Sequence, residues 1–388
     1  MERSARRNIP VTSASYLARA DGSPHPCIER SYARPPTRPK QDGPMRQQVI
    51  PSRANTDTVG SRFTFVFITD PLSELAPAHD TTVALMEAAQ ALGHRVLVTT
   101  IAELGMTAGR ATAQTRDVTL QPAVLIDGKW IVGTNWFVAT ESEQIFLDTA
   151  AAIFMRTDPP VNADYLRATY ILDLVDPART LMLNSPSGLR DANEKLFALR
   201  FPQLGPPTLI SADQTEIIDA VQSWGRAVLK PTDGMAGRGI MLLSPGDPNL
   251  HSILDTATER GTTHVVVQQY IPAVTAGDRR VIVLGGTPVG AVRRIAEGDE
   301  FRCNMAAGAS VEIDTVIEND RRICKTLGPE LVKRGLHFVG IDIIGDRLTE
   351  VNVTSPTGIR EIDALCGSHL ATSTIAWVAA LCANAVVR

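Results

Sequence analysis

The chain carries HFVGIDII at residues 337–344 and LTEVNV at residues 348–353, two apolar β-like runs separated by three residues. Asp342 stands in the first run, and Glu350 and Asn352 stand in the second. Glu350 and Asn352 are two residues apart, so they share one face of a strand. A three-residue loop puts Asp342 opposite Glu350, whereas a strict two-residue loop puts the carboxylates on opposite faces. We therefore predict a β-hairpin with polar groups inside a buried sheet.

These three polar residues form a candidate metal site. Two carboxylates and an amide oxygen on one sheet face repel one another unless a hard cation lies between them. Mg²⁺ suits such donors, especially when a nucleotide supplies further oxygens, and Mn²⁺ is the second possibility. The alternative is two unrelated polar positions on a solvated face. The flanking apolar residues, such as Phe338, Ile341 and Val351, favour burial and hence a metal held by Asp342, Glu350 and Asn352.

Two loops flank the hairpin. Residues 353–360 leave the second strand as a run of small residues whose N–H groups could hold a carboxylate, with Arg360 nearby. Residues 293–308 have little apolar periodicity. We predict that this segment is a mobile loop that closes on an anionic substrate, with Arg294 and Arg302 as its contacts.

The middle of the chain has signals for binding phosphate. Residues 227–231 (AVLKP) read as a strand that ends in Lys230, whose ammonium needs an anion if it is half-buried. The following residues, 232–240, hold three glycines in six positions and lead to a second strand. The loop is either a plain turn or a set of N–H groups over phosphates. Asp191 and Glu194 have capping-box spacing, which predicts a helix carrying Lys195 in its first turns.

A further strand is predicted over residues 264–270 (HVVVQQY). It runs from apolar residues into Gln269, Tyr270 and Ile271, where backbone N–H and C=O groups could meet the edge of an adenine. Asp278-Arg279-Arg280 precedes the next predicted strand, residues 281–284, and one of these arginines could simply pair with Asp278.

The ordered part opens with a βαβ unit. Residues 62–69 and 95–100 are β-rich apolar runs, and residues 79–93 between them read as a helix capped by Asp80. A hairpin is predicted around Asp127-Gly128, and residues 151–155 form another buried strand. Ligands lie beyond the carboxyl ends of strands in open α/β sheets, where Asp70-Pro71 and residues 156–160 fall. Neither GxGxxG nor GxxxxGK[ST] is present, which excludes Rossmann dinucleotide and P-loop motifs.

Composition limits the class of protein. The 388 residues suffice for two or three domains. No apolar run reaches the length of a bilayer span, and the net charge of −4 argues against general nucleic-acid binding. Five cysteines without a CxxC pair make a disulfide framework or structural zinc site improbable and fit a reducing cytoplasm.

Residues 1–60 differ from the rest. They contain ten Lys or Arg and five Asp or Glu, a charge of +5 against −9 for the other 328 residues. They also hold eight of the 25 prolines. We predict a disordered basic extension, because such a composition buries too little apolar surface to fold. A dispensable extension or over-long start is the favoured interpretation; an organelle transit peptide and an anionic partner are the others.

Several short motifs, taken together and in order, resemble prokaryotic glutathione synthetases, which are ATP-grasp ligases. The resemblance runs from about residue 63 to residue 380. Its motifs are Asn193-Glu194-Lys195-Leu196, Leu229-Lys230-Pro231-x-Asp233-Gly234, Gln269-Tyr270-x-Pro272, Gly277-Asp278-x-Arg280, Gly340-x-Asp342-Ile343-Ile344-Gly345 and Glu350-x-Asn352-x-Thr354-Ser355-Pro356-Thr357. Asp70-Pro71, Arg156-x-Asp158-Pro159-Pro160 and residues 168–172 fit the amino-terminal domain of that family.

The resemblance implies a fold and a reaction. The fold combines α/β and α+β parts: an amino-terminal open α/β substrate domain (61–183), then an ATP-grasp central subdomain (184–272) and a carboxy-terminal subdomain with the metal site (273–388). The reaction joins γ-glutamylcysteine to glycine through an acyl phosphate, with ATP as co-substrate and ADP and phosphate as products. A cytoplasmic homo-oligomer that binds small molecules, and neither nucleic acid nor membrane, is expected.

The resemblance also implies a role for each site residue. Phosphate, ribose and adenine contacts are expected from Lys195, Lys230, Asp233, Gly234, Gly237, Gln269, Tyr270, Ile271 and Asp278. The catalytic set, near the transferred phosphate and the acyl phosphate, is Arg280, Arg294, Arg302 and Asn304. The peptide substrate is expected at Asp80, Arg156, Ser355, Thr357 and Gly358.

The sequence departs from the family pattern on the side of the peptide substrate. His79 stands in place of a basic patch, Thr157 in place of a lysine, and residues 308–312 lack a second glycine and an arginine. Two alternatives therefore stay open. One is an ATP-grasp ligase for another peptide or amino-acid pair, and the other is a non-catalytic ATP-binding regulatory protein.

Overall fold

The computed structural model describes residues 62–235, 237–298, 300–305 and 308–386. The predicted disordered extension, residues 1–60, lies outside this range. None of the helices in the four described segments is long and apolar enough to cross a membrane. Cys303, Cys324, Cys366 and Cys382 are free thiols.

An eight-stranded sheet forms the amino-terminal part. Four strands run parallel in the order β10-β9-β1-β2, and antiparallel β4 extends the sheet, pairing also with β3, β7 and β8. All of β1 beyond its first residue is buried, as expected for a strand covered on both faces. The strands are β1 (Thr64–Ile68), β2 (Arg95–Thr99), β3 (Leu104–Thr107), β4 (Arg110–Leu120), β7 (Phe137–Ala139), β8 (Glu143–Phe146), β9 (Ala152–Met155) and β10 (Leu181–Leu183).

Local signals in this part behave as predicted. Helix α1 (Thr81–Ala91) begins after Asp80, whose carboxylate accepts hydrogen bonds from the N–H groups of Thr82 and Val83. Strands β5 (Val124–Ile126) and β6 (Lys129–Ile131) form the hairpin around Asp127-Gly128, where both φ angles are positive, 50° and 75°. The other helices here are α2 (Ala163–Leu172) and α3 (Pro186–Asp191).

The middle part is a four-stranded antiparallel sheet with its own core. Its strands, in spatial order, are β11 (Thr208–Ser211), β14 (Val265–Gln269), β12 (Ala227–Pro231) and β13 (Met241–Leu243). Helices α4 (Gln214–Trp224) and α5 (Leu250–Ala257) cover it. The buried cluster here includes Ile217, Leu229, Leu254 and Val267, and it is separate from the clusters of the other two sheets.

The carboxy-terminal part is a five-stranded antiparallel sheet. Its spatial order is β17 (Ser310–Ile313), β16 (Thr287–Ile295), β15 (Asp278–Leu284), β18 (Phe338–Ile344) and β19 (Arg347–Asn352). The helices are α6 (Glu318–Lys333), α7 (Ile359–Cys366) and α8 (Leu370–Val386). Its buried side chains join those of the first sheet in two shared clusters, for example Val66 with Val281 and Phe65 with Ile282.

Two predictions of local structure are wrong. No helix begins at Asp191: this residue ends α3, and Lys195 lies between α3 and a short 3-10 helix, Phe197–Arg200. Arg293 and Arg294 do not begin a loop but lie inside strand β16. Strand β15 also begins three residues earlier than predicted, at Asp278, which pairs with Arg294 of β16, while Arg280 pairs with Asp342 of β18.

Candidate functional site

The hairpin of β18 and β19 brings Asp342 and Glu350 face to face. Its connection is a two-residue turn, because Ile344 pairs with Arg347 and Ile343 with Leu348. The register then shifts and Asp342 pairs with Glu350. The extra residue is Thr349, whose hydroxyl donates a 3.1 Å hydrogen bond to the carbonyl of Asp342. A β-bulge at Thr349 therefore brings the two carboxylates opposite each other, which we expected from a three-residue loop.

Two arginines neutralise Asp342, which is 3% exposed. Arg280 donates to both carboxylate oxygens, at 2.6 and 3.1 Å, and Nη2 of Arg294 lies 3.1 Å from one of them. Although burial opposes it, these two guanidinium groups lower the pKa of Asp342. Arg294 also forms a bidentate pair with Asp278, at 2.7 and 2.5 Å. The partner of Asp278 is therefore Arg294 and not one of the two adjacent arginines.

Lys195 and Lys230 reach the same place from different elements. Nζ of Lys195 lies 3.3 Å from Oε1 of Glu350 and also donates to the carbonyl of Gly234. Lys230 is half-buried at the end of β12, and burial lowers the pKa of its ammonium group against the opposing effect of Glu350. Together these cations supply a positive lining for an anionic ligand.

A cavity lies between the middle and carboxy-terminal sheets. Its walls are partly apolar, with Val228, Ile240, Ile271 and Phe301. Of the predicted residues, it is lined by Lys230, Gln269, Tyr270, Ile271, Asp278, Arg302, Asn304, Asp342 and Glu350. An apolar pocket with convergent polar groups is typical of a site for a nucleotide base and ribose.

Two of the N–H groups expected to contact a ligand in this cavity are already hydrogen-bonded within the protein. The N–H of Gln269 donates to Pro207 and that of Tyr270 donates to Arg226. Among the described residues, the N–H of Ile271 has no backbone partner. Of the three N–H groups predicted to meet an adenine edge, that of Ile271 is the one available.

A second cavity adjoins the first and shares Ile240, Asn304 and Glu350 with it. We call it the substrate cleft. The predicted residues that line it are Lys195, Gly234, Gly237, Arg280, Arg294, Asn304, Glu350, Asn352, Ser355 and Thr357. Glu350 thus stands where the two cavities meet, opposite Asp342, which lines the first cavity.

Two loops meet over these cavities. Arg302 donates to the carbonyl of Gly237 at 3.0 Å and to Glu300 at 2.5 Å. Gly237 has φ of +78°, and a Cβ there would lie 2.8 Å from Oδ1 of Asn304. The absence of a side chain at Gly237 is therefore what lets the two loops touch.

Four predicted residues line neither cavity. Asp80 is used as the cap of α1, and Gly358 precedes α7 with φ of +128°. Arg156 is buried, where it donates to Thr82 at 3.1 Å and to the carbonyl of Pro356 at 2.9 Å. Asp233 is exposed in the loop after β12. Arg156 supports the loop that contains Pro356, and the expected roles of Asp80, Arg156 and Gly358 toward the peptide substrate and of Asp233 toward the nucleotide stay predictions.

Glu194 was missed as a site residue. Its predicted partner was Asp191, but its Oε1 instead accepts from the N–H groups of Val353 and Thr354, at 2.8 and 3.0 Å, and from the Thr354 hydroxyl at 2.8 Å. Burial and the like charge of Glu350 raise the pKa of Glu194. The sequence feature that points to Glu194 as a site residue is its position next to Lys195, a predicted phosphate-binding residue.

The oxygen donors fit a divalent cation that arrives with a nucleotide. Asp342, Glu350 and Asn352 share one face, and the Glu350 side chain is 18% exposed. Nδ2 of Asn352 donates hydrogen bonds to the carbonyl of Gly340 and the carboxylate of Asp342, which leaves its amide oxygen available to coordinate a cation. Over the described segments, no three His, Cys, Asp or Glu side chains cluster as a metal site. The remaining ligands of a cation here would therefore be phosphate oxygens and water.

Comparisons with known proteins agree with this architecture. Residues 63–190 match the family model for the prokaryotic glutathione synthetase N-terminal domain, and residues 194–367 match that for its ATP-grasp domain. The chain is 53% identical over 312 residues to a glutathione synthetase of Thermosynechococcus vestitus, covering 80% of this chain and 98% of the relative. One of Xylella fastidiosa is 44% identical over 307 residues, covering 79% and 95%.

Solved structures share the fold at low sequence identity. A D-cycloserine synthetase has a TM-score of 0.57 at 14% identity, covering 82% of this chain and 99% of that one. An ATP-grasp ligase associated with ribosomally made peptides, from Chryseobacterium gregarium, has a TM-score of 0.55 at 13% identity, covering 82% and 97%. These likenesses support the fold of the chain and carry no information on its substrates.

Proposed function

This chain belongs to the prokaryotic glutathione synthetase family, and we propose that it joins γ-glutamylcysteine to glycine with ATP as the energy source. The observation that carries the proposal is the pair of adjoining cavities with Glu350 at their junction and Asp342 opposite it in the first cavity. One cavity has the partly apolar lining that suits a nucleotide base, and the other has the charged and polar lining that suits a small peptide. The γ-phosphate of ATP would meet the carboxylate of the acyl donor where the two cavities join.

The chemistry assigns work to the residues at this junction. A carboxylate is a poor acyl donor until it is phosphorylated, and phosphoryl transfer needs its negative charge stabilised. Lys195, Lys230 and Arg280 would hold the phosphates and the transferred group. Arg294 would fix Asp278 and Asp342, and Arg302 and Asn304 would close over the acyl phosphate. The glycine amine then attacks the acyl carbon and phosphate leaves, so no protein nucleophile is needed.

Members of this family use ATP and a divalent metal, and we propose that the metal here is Mg²⁺. Its residues would be Asp342, Glu350 and Asn352. When bound, the cation would neutralise charge on the phosphate oxygens. The adenine would lie against Tyr270 and Ile271, and the acyl donor against Ser355 and Thr357, with Gly234 and Gly237 over the phosphates.

Two further expectations follow from the resemblance. We expect a homo-oligomer, which analytical ultracentrifugation would test, and a cytoplasmic location, which fractionation of the source cells would test. Neither depends on the assignment of the site.

The test of the proposed function is phosphate release from ATP with a panel of acyl donors and amines. We expect release that requires γ-glutamylcysteine, glycine and Mg²⁺ together. Release with a different pair would indicate another ligase of this fold. Tight ATP binding without release across the panel would indicate a regulatory nucleotide-binding protein and would overturn the proposal.

A further inference from the structure

The substrate cleft contains a carboxylate that the mechanism above does not use. Asp158, Glu194 and Glu350 are the acidic residues of its lining. Glu350 is paired with Lys195 and belongs to the proposed metal site. Glu194 has no ion-pair partner in the part of the chain that the structure describes, although it adjoins Lys195. The cleft therefore holds an anionic group that no neighbouring cation neutralises directly.

The two oxygens of Glu194 have different surroundings. Oε1 accepts all three hydrogen bonds from Val353 and Thr354, which lock the carboxylate in one orientation. Within the described segments, Oε2 receives no hydrogen bond. Glu194 lines the cleft. Oε2 is thus the oxygen of an oriented carboxyl group that these hydrogen bonds leave available to a ligand.

We propose that Oε2 of Glu194 binds the ammonium group of the acceptor amino acid. A substrate ammonium that leaves water needs a charged acceptor, and a carboxylate oriented in advance provides a charge-assisted hydrogen bond without having to reorganise. The inference rests on the proposed function, and it names the contact that holds the second substrate.

The position of Glu194 favours the acceptor over the donor as the source of the ammonium group. Lys195, the next residue, contacts Glu350 at the junction of the two cavities, which is the reacting end of the cleft. The acceptor nitrogen must reach this end to attack. The ammonium of γ-glutamylcysteine lies at the opposite end of that molecule from its reacting carboxylate, so it would be held elsewhere.

The test uses Glu194→Gln in the full chain, with glycine and hydroxylamine as alternative acceptors. Glutamine keeps an oxygen for the three hydrogen bonds but removes the charge. Hydroxylamine is uncharged at neutral pH and traps an acyl phosphate as a hydroxamate without needing an ammonium site. We expect the KM for glycine to rise about 10- to 100-fold, the range for losing a hydrogen bond to a charged group. The KM for ATP and the rate of hydroxamate formation should stay near those of the wild type.

Two other variants complete the design. Glu194→Asp keeps the charge and should bind glycine better than Glu194→Gln does. Glu143→Gln removes a charge from an exposed position of β8, outside both cavities, and should leave the KM for glycine near the wild-type value. An unchanged KM for glycine in Glu194→Gln, an increase only in the KM for γ-glutamylcysteine, or an equal loss of hydroxamate formation would each overturn the proposal. A wild-type protein inactive with this substrate pair would instead refute the proposed function.

Discussion

At the scale of single residues, charge pairing decides what each group of the site can do. Asp342 is buried and bound by two arginines, so it stays ionised in the folded protein. Glu350 lies opposite it and is more exposed, with one lysine as its partner. Like charges facing each other across two strands are unfavourable unless cations lie close by. Four cationic side chains, and in our account a metal, offset this repulsion.

Glu350→Gln tests the metal role. The substitution keeps the size of the side chain but removes the more exposed of the two carboxylates, so ATP turnover should fall about 100-fold or more. Glu312→Gln, on an exposed position of β17, is the control and should keep the wild-type rate. The measurement is phosphate release as a function of Mg²⁺ concentration. A Glu350→Gln protein with most of its turnover intact would exclude Glu350 as a ligand.

Lys230→Met separates function from stability. Burial lowers the pKa of Lys230, which means that the folded protein disfavours its charged form. Below that lowered pKa the ammonium costs stability in full, and the cost diminishes as the pH rises from it towards the ordinary pKa of lysine in the unfolded chain. Methionine removes the charge, so the ligand-free protein at neutral pH should melt at the same temperature or higher, while ATP turnover falls about 100-fold. A lower melting temperature would contradict this.

At the scale of elements, the sequence predicted the strands well and their registers poorly. The distribution of apolar residues located β1, β12, β14 and β18, because each is a short apolar run between polar residues. The bulge at Thr349 was not predictable, since nothing in LTEVNV distinguishes the residue left out of the ladder. That bulge, rather than the loop length, decides whether the two carboxylates meet.

Two wrong predictions, the helix after Asp191 and the loop at Arg294, have a common physical origin. Asp191 and Glu194 have the spacing of a capping box. However, an earlier helix begins at Pro186 and ends at Asp191, and the Glu194 carboxylate accepts a hydrogen bond from Thr354 instead of capping a helix. Arg294 follows an arginine in a polar stretch and was assigned to a loop. Pairing with Asp278 makes it compatible with a buried strand. In both cases a distant partner outweighs the local pattern.

Gly237→Ala tests the contact between the two loops, and Gly246→Ala is its matched control. Both glycines have positive φ, +78° and +77°, so alanine strains the backbone about equally at each, by about 1 kcal/mol. A Cβ meets Asn304 only at Gly237, while at Gly246 nothing lies within 4 Å. We expect kcat/KM for ATP to fall about tenfold further in Gly237→Ala than in Gly246→Ala. Equal kinetics in the two variants would show that the contact has no role in catalysis.

At the scale of the whole molecule, the three large sheets differ in whether they share a hydrophobic core. The first and third share their buried clusters, whereas the middle sheet has a core of its own. A separate core allows the middle part to unfold on its own. The nucleotide cavity lies between this part and the carboxy-terminal sheet, so ATP should stabilise the two against each other.

Leu254→Ala tests this independence. Leu254 is fully buried in the core of the middle part, and its truncation should cost about 2–5 kcal/mol. Because that core is separate, we expect calorimetry to show two transitions, with ATP raising the temperature of the lower one. A single transition that moves as a whole would show that the middle part does not unfold separately.

The central claim is that ATP activates the donor as an acyl phosphate before the amine attacks. The most direct test supplies γ-glutamylcysteine labelled with ¹⁸O in its reacting carboxylate, together with ATP, Mg²⁺ and glycine, and measures the products by mass spectrometry. The account predicts that each glutathione formed is accompanied by one inorganic phosphate carrying one ¹⁸O atom from the donor. Glutathione formed together with unlabelled phosphate would contradict it.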